Sequence, residues 1–161
     1  MSTVKPIPDG FHTVTPCLTI KGASDAIQFY QKAFGATEIF RMAGPDGEVM
    51  HAEIKICDSI IMLNDEFPSW GCIGPKTLGG SPVSMMLYVV DSDALTDQAV
   101  AAGATIERPL QNQPWGVRSS TVIDPFGFRW TLSTQIEEVS HEEIERRMTA
   151  LMSKSGECES A

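Results

Sequence analysis

The order of apolar and polar positions in the first half of the chain predicts one helix and four strands. Residues 11–20 alternate between polar and apolar side chains, as in a strand with one buried face. An apolar stripe at helical spacing over residues 24–34, followed by Gly35, predicts a helix that ends at that glycine. Three further strands are predicted at 37–42, 49–56 and 59–64.

The second half of the chain repeats this order of elements. The patterns predict a strand at 83–90, a helix that ends near Ala102, and strands near 105–108, 119–123 and 128–134. The repetition indicates an α+β fold of two tandem βαβββ modules.

The predicted modules span residues 10–66 and 82–135, within one domain of residues 1–137. A Gly- and Pro-rich connector over residues 66–81 joins them. Residues 138–161 are predicted to form a C-terminal helix, capped by Ser140, and a frayed tail.

Composition and charge narrow the classes of function. The 161 residues are 42% hydrophobic and 20% charged, which is ordinary for a globular protein. The net charge of −9 argues against a nucleic-acid partner, because phosphate binding requires a basic surface. No apolar run approaches the ~20 residues of a membrane span, so no membrane partner is expected. Cys17, Cys57, Cys72 and Cys158 lack the spacing of metal ligands, and we interpret them as thiols of a cytoplasmic protein.

A turn near the end of the second module leads into a strand with a possible site residue. Residues 124–127 read Asp-Pro-Phe-Gly, which is turn chemistry, because proline fixes φ and glycine accepts a positive φ. In the strand that follows, Arg129, Thr131 and Ser133 fall on one face, and the aromatic and apolar positions fall on the other.

Three short motifs lie along the chain, two in the first module and one in the second. They are Ala-Ile-Gln-Phe-Tyr at 26–30, Phe-Gly-Ala at 34–36 and the turn at 124–127. Together with the repeated modules, they resemble the vicinal oxygen chelate superfamily of glyoxalase I, extradiol dioxygenases, and fosfomycin- and bleomycin-resistance proteins. Closer similarity to the PhnB-like branch lies in segments 12–16, 50–53, 78–82 and 115–118.

The resemblance covers residues 10–135 and implies a half-barrel cup from each module, with a ligand between two cups. In the metalloenzymes of this superfamily, four side chains from the first and last strands of each module hold a divalent ion. Those positions fall on Thr15, Met62, Met85 and Thr131 here. Hydroxyl and thioether groups are poor ligands for the ions that such sites hold. We therefore expect no metal at the usual site and no cofactor.

His51 and Glu53 are the candidate catalytic residues. They are two positions apart in a predicted strand and therefore share a face with Lys55. If this face lines the cup, Glu53 can act as a general base and His51 can orient a ligand. A solvated outer strand face is the alternative, and an atypical divalent-metal site that also uses His12 is another.

Other residues are candidates for ligand binding. Trp115 and Arg118 lie in a predicted loop, where an indole and a guanidinium suit a planar or anionic ligand. Arg129 either enters the cup or forms a surface ion pair. The thioethers of Met62 and Met85 can adapt to varied apolar ligands.

Three functions fit these expectations, and the least specific is an accessory protein whose C-terminal helix and acidic surface mediate association. The first is a small-molecule binding protein that holds an apolar or aromatic molecule in a metal-free cup. The second is a lyase, isomerase or dioxygenase-like enzyme with an atypical site around His51 and Glu53. A homodimer is expected in either case, because half-cups with exposed apolar rims bury them by symmetric pairing.

Overall fold

The computed structural model describes residues 4–156, and its secondary structure confirms two βαβββ modules followed by a helix. Module 1 contains β1 (Cys17–Ile20), α1 (Ala23–Phe34), β2 (Thr37–Ala43), β3 (Val49–Ile56) and β4 (Ser59–Asp65). The connector contains a 3₁₀ turn (Pro68–Trp70) and the short helix α2 (Pro75–Leu78). Module 2 contains β5 (Ser84–Tyr88), α3 (Ser92–Ala102), β6 (Thr105–Asn112), β7 (Val117–Ile123) and β8 (Arg129–Gln135), and α4 (His141–Gly156) follows.

Each module forms its own four-stranded mixed sheet with the same topology. The strand orders are β1-β4-β3-β2 and β5-β8-β7-β6. The first strand of each module pairs in parallel with the last, and the remaining pairs are antiparallel. Strands β1 and β5 are therefore edge strands.

One face of each sheet is buried, and the other is turned away from the core. In module 1, Ala52 of β3 pairs with Leu63 of β4, and both side chains are fully buried. Glu53 and Met62, which also pair, lie on the opposite face because side chains alternate along a strand. We call this the open face of module 1.

The open face of module 2 follows from the same alternation. Trp130 and Leu132 of β8 are fully buried in the core. Thr131 and Ser133 therefore lie on the opposite side of the sheet, which we call the open face of module 2.

Helices α1 and α3 lie side by side between the two sheets. They contact each other, and Nε2 of Gln98 in α3 donates to the carbonyl oxygen of Ala33 in α1 at 3.1 Å. Tyr30 and Phe34 of α1 pack against Trp130 of β8, with ring centroids 5.4 and 4.8 Å apart. Both buried faces thus share one core, and the open faces of a single chain point outward in different directions.

A buried carboxylate joins the two modules. Asp124 Oδ2 accepts hydrogen bonds from Tyr30 Oη at 2.8 Å and from Trp130 Nε1 at 2.9 Å. Its Oδ1 accepts from the backbone N–H groups of Phe126 and Phe128. Burial raises the pKa of Asp124, although these hydrogen bonds lower it, and burial beside this carboxyl raises the pKa of Tyr30 well above 10. The predicted turn at residues 124–127 is therefore also the anchor of α1.

The start of α1 is held by a residue of a distant strand. The N-cap of α1 is Gly22, whose φ of 87° is a conformation that glycine adopts easily. Glycine has no side chain that could cap the helix, and a carboxylate from β4 takes this role. Asp65 Oδ1 accepts from the N–H groups of Gly22 and Ala23 at 3.0 and 2.8 Å, and its Oδ2 accepts from Val49. The Asp65 side chain at the end of β4 thus holds the first residues of α1 and of β3 in place.

Several strand ends also differ from their predicted positions. The predicted strand 11–20 shortens to β1 (Cys17–Ile20), and the segment 6–13 before it lines a groove on the open face of module 1 with Glu53 and Met62. Gly10 lies so close to Ile60 that a β-carbon would be 3.2 Å from its Cδ1. Strand β7 begins at Val117, so Arg118 lies in a strand and not in a loop.

Helix α4 is capped as predicted and is held by an ion-pair network. Ser140 Oγ accepts from the N–H of Glu143 at 3.3 Å. Arg147 bonds the carboxylates of Glu137 and Glu143 and the carbonyl of Pro114, which attaches α4 to module 2. The predicted frayed tail and Cys158 lie outside the described residues. Along the described chain, no helix combines the length and apolar character required to cross a membrane.

Candidate functional site

Apolar and polar side chains alternate across the open face of module 1. Strand β2 contributes Phe40 and Met42, which pair in register with Glu53 and His51 of β3. Cys17 of β1 is in register with Met62. Phe40 and Met42 are 50% and 49% exposed, so this face presents large apolar side chains without covering them.

The candidate catalytic residues lie on this open face. A strand face that lines the cup was one of the two orientations that the sequence left open. His51 Nε2 is 3.3 Å from Glu53 Oε1, and both side chains are partly buried. The His51 ring lies beside Phe40, with centroids 6.1 Å apart. The two side chains are thus close to each other and to an aromatic ring on the open face.

A groove brings Thr15, Met62 and Glu53 together. Its volume is about 540 Å³, and the N-terminal segment 6–13 lines its other side. Thr15 Oγ1 donates to the carbonyl of His12 at 3.1 Å, which holds the segment's end in place. The two first-half positions that the superfamily resemblance indicated thus lie in one site.

Thr131 lies on the open face of module 2, among other hydroxyl groups. Its Oγ1 is 3.3 Å from that of Thr121, its partner in the β7–β8 ladder. Met86 is in register with Thr131 and is 56% exposed. Arg129 lies on the same face and is paired with Glu107, whose pKa it lowers by hydrogen bonding. Thr131 does not share a hollow with Met62 within one chain, because the open faces point in different directions.

Met85 lies on the buried side of β5 and not on the open face. It is in register with Trp130 and packs against the core. It also lines a separate apolar cleft of about 420 Å³ between β1, β5 and the connector. Of the two adjacent methionines, Met86 is the one that shares a face with Thr131.

Trp115 and Arg118 lie away from the residues of the open faces. The Arg118 guanidinium bonds the Asp93 carboxylate of α3 with two contacts of 2.7 Å, and this pairing lowers the pKa of Asp93. Trp115 lies in the β6–β7 loop, where the adjacent Gly116 carbonyl accepts from Ile136. The structure therefore gives Arg118 a contact with α3 and places Trp115 at the end of the sheet near α4.

The donor atoms at the four indicated positions do not fit a divalent transition metal. They are the hydroxyls of Thr15 and Thr131 and the thioethers of Met62 and either neighbouring methionine of β5. Such ions are held by imidazole, carboxylate and thiolate groups. Within residues 4–156, no three His, Cys, Asp or Glu side chains are grouped as a metal site.

Sequence reasoning did not identify some residues of the open faces. Phe40 and Met42 were assigned to a strand but not to the site, and Ser119 and Thr121 were not singled out. The register of β2 against β3 and of β7 against β8 supplies the missing information. Residues 119–121 are three consecutive hydroxyl residues, so the sequence of β7 alone did not show which of them lie on the open face.

Comparisons with known proteins agree with this architecture. The profile of the Glyoxalase/Bleomycin resistance protein/Dioxygenase superfamily matches residues 11–132. An uncharacterized protein of Mycobacterium bovis is 43% identical over 141 residues, which cover 85% of this chain and 92% of that protein.

Solved structures show the same fold. A gene product of Arabidopsis thaliana aligns with a TM-score of 0.63 and 27% identity, over 76% of this chain and 98% of that one. A Bacillus cereus structure named as a putative 3-demethylubiquinone-9 3-methyltransferase, PhnB protein, aligns with a TM-score of 0.60 and 18% identity. It covers 76% of this chain and 99% of that one. From the profile match and the relatives, the chain belongs to the Glyoxalase/Bleomycin resistance protein/Dioxygenase superfamily.

Proposed function

We propose that this protein binds a small apolar or aromatic molecule at its open faces, without a metal ion. The observation that supports this most is the set of large apolar side chains that these faces leave exposed. Phe40 and Met42 of module 1 and Met86 and Tyr88 of module 2 are each about half exposed or more. Neighbouring apolar side chains that stay exposed on a protein surface mark a site that a ligand or a partner covers.

The groove on module 1 supports the proposal by its size and lining. Its volume of 540 Å³ is in the range of small-molecule sites, roughly 300–1,000 Å³. Phe11, Ile7 and Met62 supply apolar surface, and Thr15 and Glu53 supply polar groups that can orient a ligand. Methionine adapts its shape to different apolar molecules.

A homodimer completes the site in this proposal. The N-terminal segment 6–13 borders one part of the module 1 face, but Phe40 and Met42 stay about half exposed, so a second chain is needed to cover the rest of this face. A second copy can bring its module 2 face to this position, and a symmetric pair repeats the contact. We expect the edge strands β1 and β5 to border that interface. Val83, beside β5, is 56% exposed and is available for such a contact.

A metal-independent enzyme is the second candidate, and one observation favours it. His51 and Glu53 lie on the open face with their side chains 3.3 Å apart, and Glu53 lines the groove. A carboxylate at a partly apolar site can remove a proton next to a carbonyl group, which is the first step of isomerase and lyase reactions. A dioxygenase-like reaction has less support, since the donor set lacks metal ligands.

The proposal also extends to the branch and the compartment. The PhnB-like assignment is supported by segments 12–16, 50–53, 78–82 and 115–118 and by the name of the Bacillus cereus neighbour. A cytoplasmic location is supported by the free thiols of Cys17, Cys57 and Cys72.

Binding of 2-naphthamide, a neutral aromatic probe, tests the proposed function. We expect its fluorescence to saturate with added protein. The Phe40→Ala variant should bind about tenfold more weakly, because Phe40 is half exposed and covering the rest of its ring contributes about 1.4 kcal/mol. Val100→Ala, which truncates an exposed residue of α3, is the control and should bind as the unmodified protein does. Failure to saturate, or equal loss in both variants, contradicts the proposal.

Proton exchange separates binding from catalysis. Acetophenone in D₂O gains deuterium at its methyl group when a base removes those protons. The enzyme candidate requires faster exchange with protein than without it, and loss of that acceleration in Glu53→Gln. The binding candidate requires exchange at the rate of buffer, with 2-naphthamide affinity retained in the same variant.

A further inference from the structure

We infer that the open face of module 2 is a subsite for an oxyanion, the carboxylate or phosphoryl group of an otherwise apolar ligand. The inference rests on the proposed function, because it assigns the polar end of the bound molecule. Module 1 would then contact the apolar body, and module 2 of the second chain would hold the anion.

Four hydroxyl groups form the floor of this face. Thr121 pairs with Thr131, and Ser119 pairs with Ser133 two residues along the same ladder. All four side chains lie opposite the core, because the intervening Trp130 and Leu132 are buried. The central strands of the sheet thus present hydroxyls where the same strands of module 1 present Glu53 and Met62.

Ser133 lacks a hydrogen-bond partner. It is 1% exposed, and its Oγ is the one buried side-chain nitrogen or oxygen without a partner in the described part of the chain. Ser120, on the buried face of β7, is by contrast paired with Thr96 Oγ1 at 2.6 Å. Native proteins pair nearly all buried polar groups, so an unpaired hydroxyl on an open face indicates a missing partner. A ligand oxygen would supply it.

The positive charge on the open face of module 2 favours a negatively charged ligand group. Arg108 of β6 is in register with Thr121 and exposed, and among the described residues it takes part in no hydrogen bond or ion pair. Arg129, nearby, is already neutralised by Glu107. Glu107 also interacts electrostatically with Arg108, so the two arginines and this one carboxylate together leave a net charge of about +1 beside the hydroxyls, within a chain of net charge −9.

The hydroxyls and the guanidinium are all hydrogen-bond donors. A carboxylate or phosphoryl oxygen carries no proton and accepts from each of them, and bonds from a charged donor are the stronger ones. A cationic group would be repelled by Arg108. An oxyanion is therefore the ligand group that satisfies both the charge and the unpaired hydroxyl.

Two probes of the same shape test the inference. 2-Naphthoate carries the anion, and 2-naphthamide is its neutral counterpart. In an NMR titration of the ¹⁵N-labelled protein, naphthoate should shift the amide signals of β7 and β8 and bind about tenfold more tightly than naphthamide. Thr131→Val and Arg108→Gln should each weaken naphthoate binding about tenfold and weaken naphthamide binding by a clearly smaller factor. Thr37→Val and Lys21→Gln, exposed positions outside the face, are the matched controls.

Ser133→Ala gives a readout that a purely structural role would not produce. It removes the unpaired hydroxyl, so the ligand-free variant should melt at the same or a higher temperature, whereas its affinity for naphthoate should fall. Equal affinity for both probes, or equal effects in the control variants, overturns the oxyanion subsite and leaves the proposed function standing. Absence of binding by either probe overturns both.

Discussion

Removing one hydroxyl group tests the carboxylate that joins the two modules. Tyr30→Phe deletes the hydrogen bond from Tyr30 Oη to Asp124 Oδ2, 2.8 Å long and fully buried, and preserves the ring that packs on Trp130. A hydrogen bond to a carboxylate contributes roughly 1.5–3 kcal/mol, and no cavity is added because the phenyl ring fills the same space. We expect a loss of about 2 kcal/mol, which for a domain of this size lowers Tm by roughly 4–8 °C.

Urea unfolding followed by tryptophan fluorescence measures this loss. The chain has two tyrosines, so Tyr88→Phe is the matched control; Tyr88 is 64% exposed on the open face of module 2. The control should change the free energy of unfolding by less than about 0.5 kcal/mol. If Tyr30→Phe also changes it by less than this amount, the carboxylate does not couple α1 to module 2.

Two further predictions concern the anchors of the helices. Arg146 and Arg147 lower the pKa of Glu143 to about 2 from 4.5, so the stabilisation of α4 is complete above pH 4.5 and is lost as the pH falls towards 2. Hydrogen-exchange protection of α4 should decrease over that range. Glu143→Gln should weaken the pH dependence and leave the part that comes from Glu137, whose pKa Arg147 also lowers; unchanged protection would contradict the role of the pair. Asp65→Ala should lower the free energy of unfolding by about 2–3 kcal/mol, because three backbone N–H groups lose their acceptor. Asp91→Ala, which removes the single cap bond of α3, should cost about 1 kcal/mol, and equal losses would contradict this account.

The fold was predictable because its signals are local and repeated. Hydrophobic periodicity, Gly35 and Gly103 after the helices, and the turn at 124–127 each act within a few residues. The cap of α1 was not predictable in this way. Its acceptor is Asp65, more than forty residues away in the sequence, and only the folded sheet brings that carboxylate to Gly22.

Strand register decides which residues line the site, and a single sequence gives little information about register. Met85 and Met86 are both apolar and adjacent, so the pattern alone does not decide which one faces the core; pairing with Trp130 decides it. Arg118 was expected in a loop, but a longer β7 placed it beside Asp93. The positions of Met62 and Thr131 on open faces followed from strand alternation in their own strands.

The arrangement of the modules changes how the site is understood. The superfamily resemblance implied a ligand between two cups, and the structure shows open faces that point outward from a shared core. A ligand that contacts Met62 of one chain can therefore reach Thr131 only if that residue belongs to a second copy. Oligomeric state and ligand binding are consequently linked in this account.

A crystal structure of the protein with 2-naphthamide tests the central claim most directly. The account predicts the probe against Phe40 and Met62 of one chain, covered by the open face of module 2 from a second copy, with no metal ion coordinated by the protein. A probe bound elsewhere, or a transition metal held between Thr15 and Met62, would contradict it.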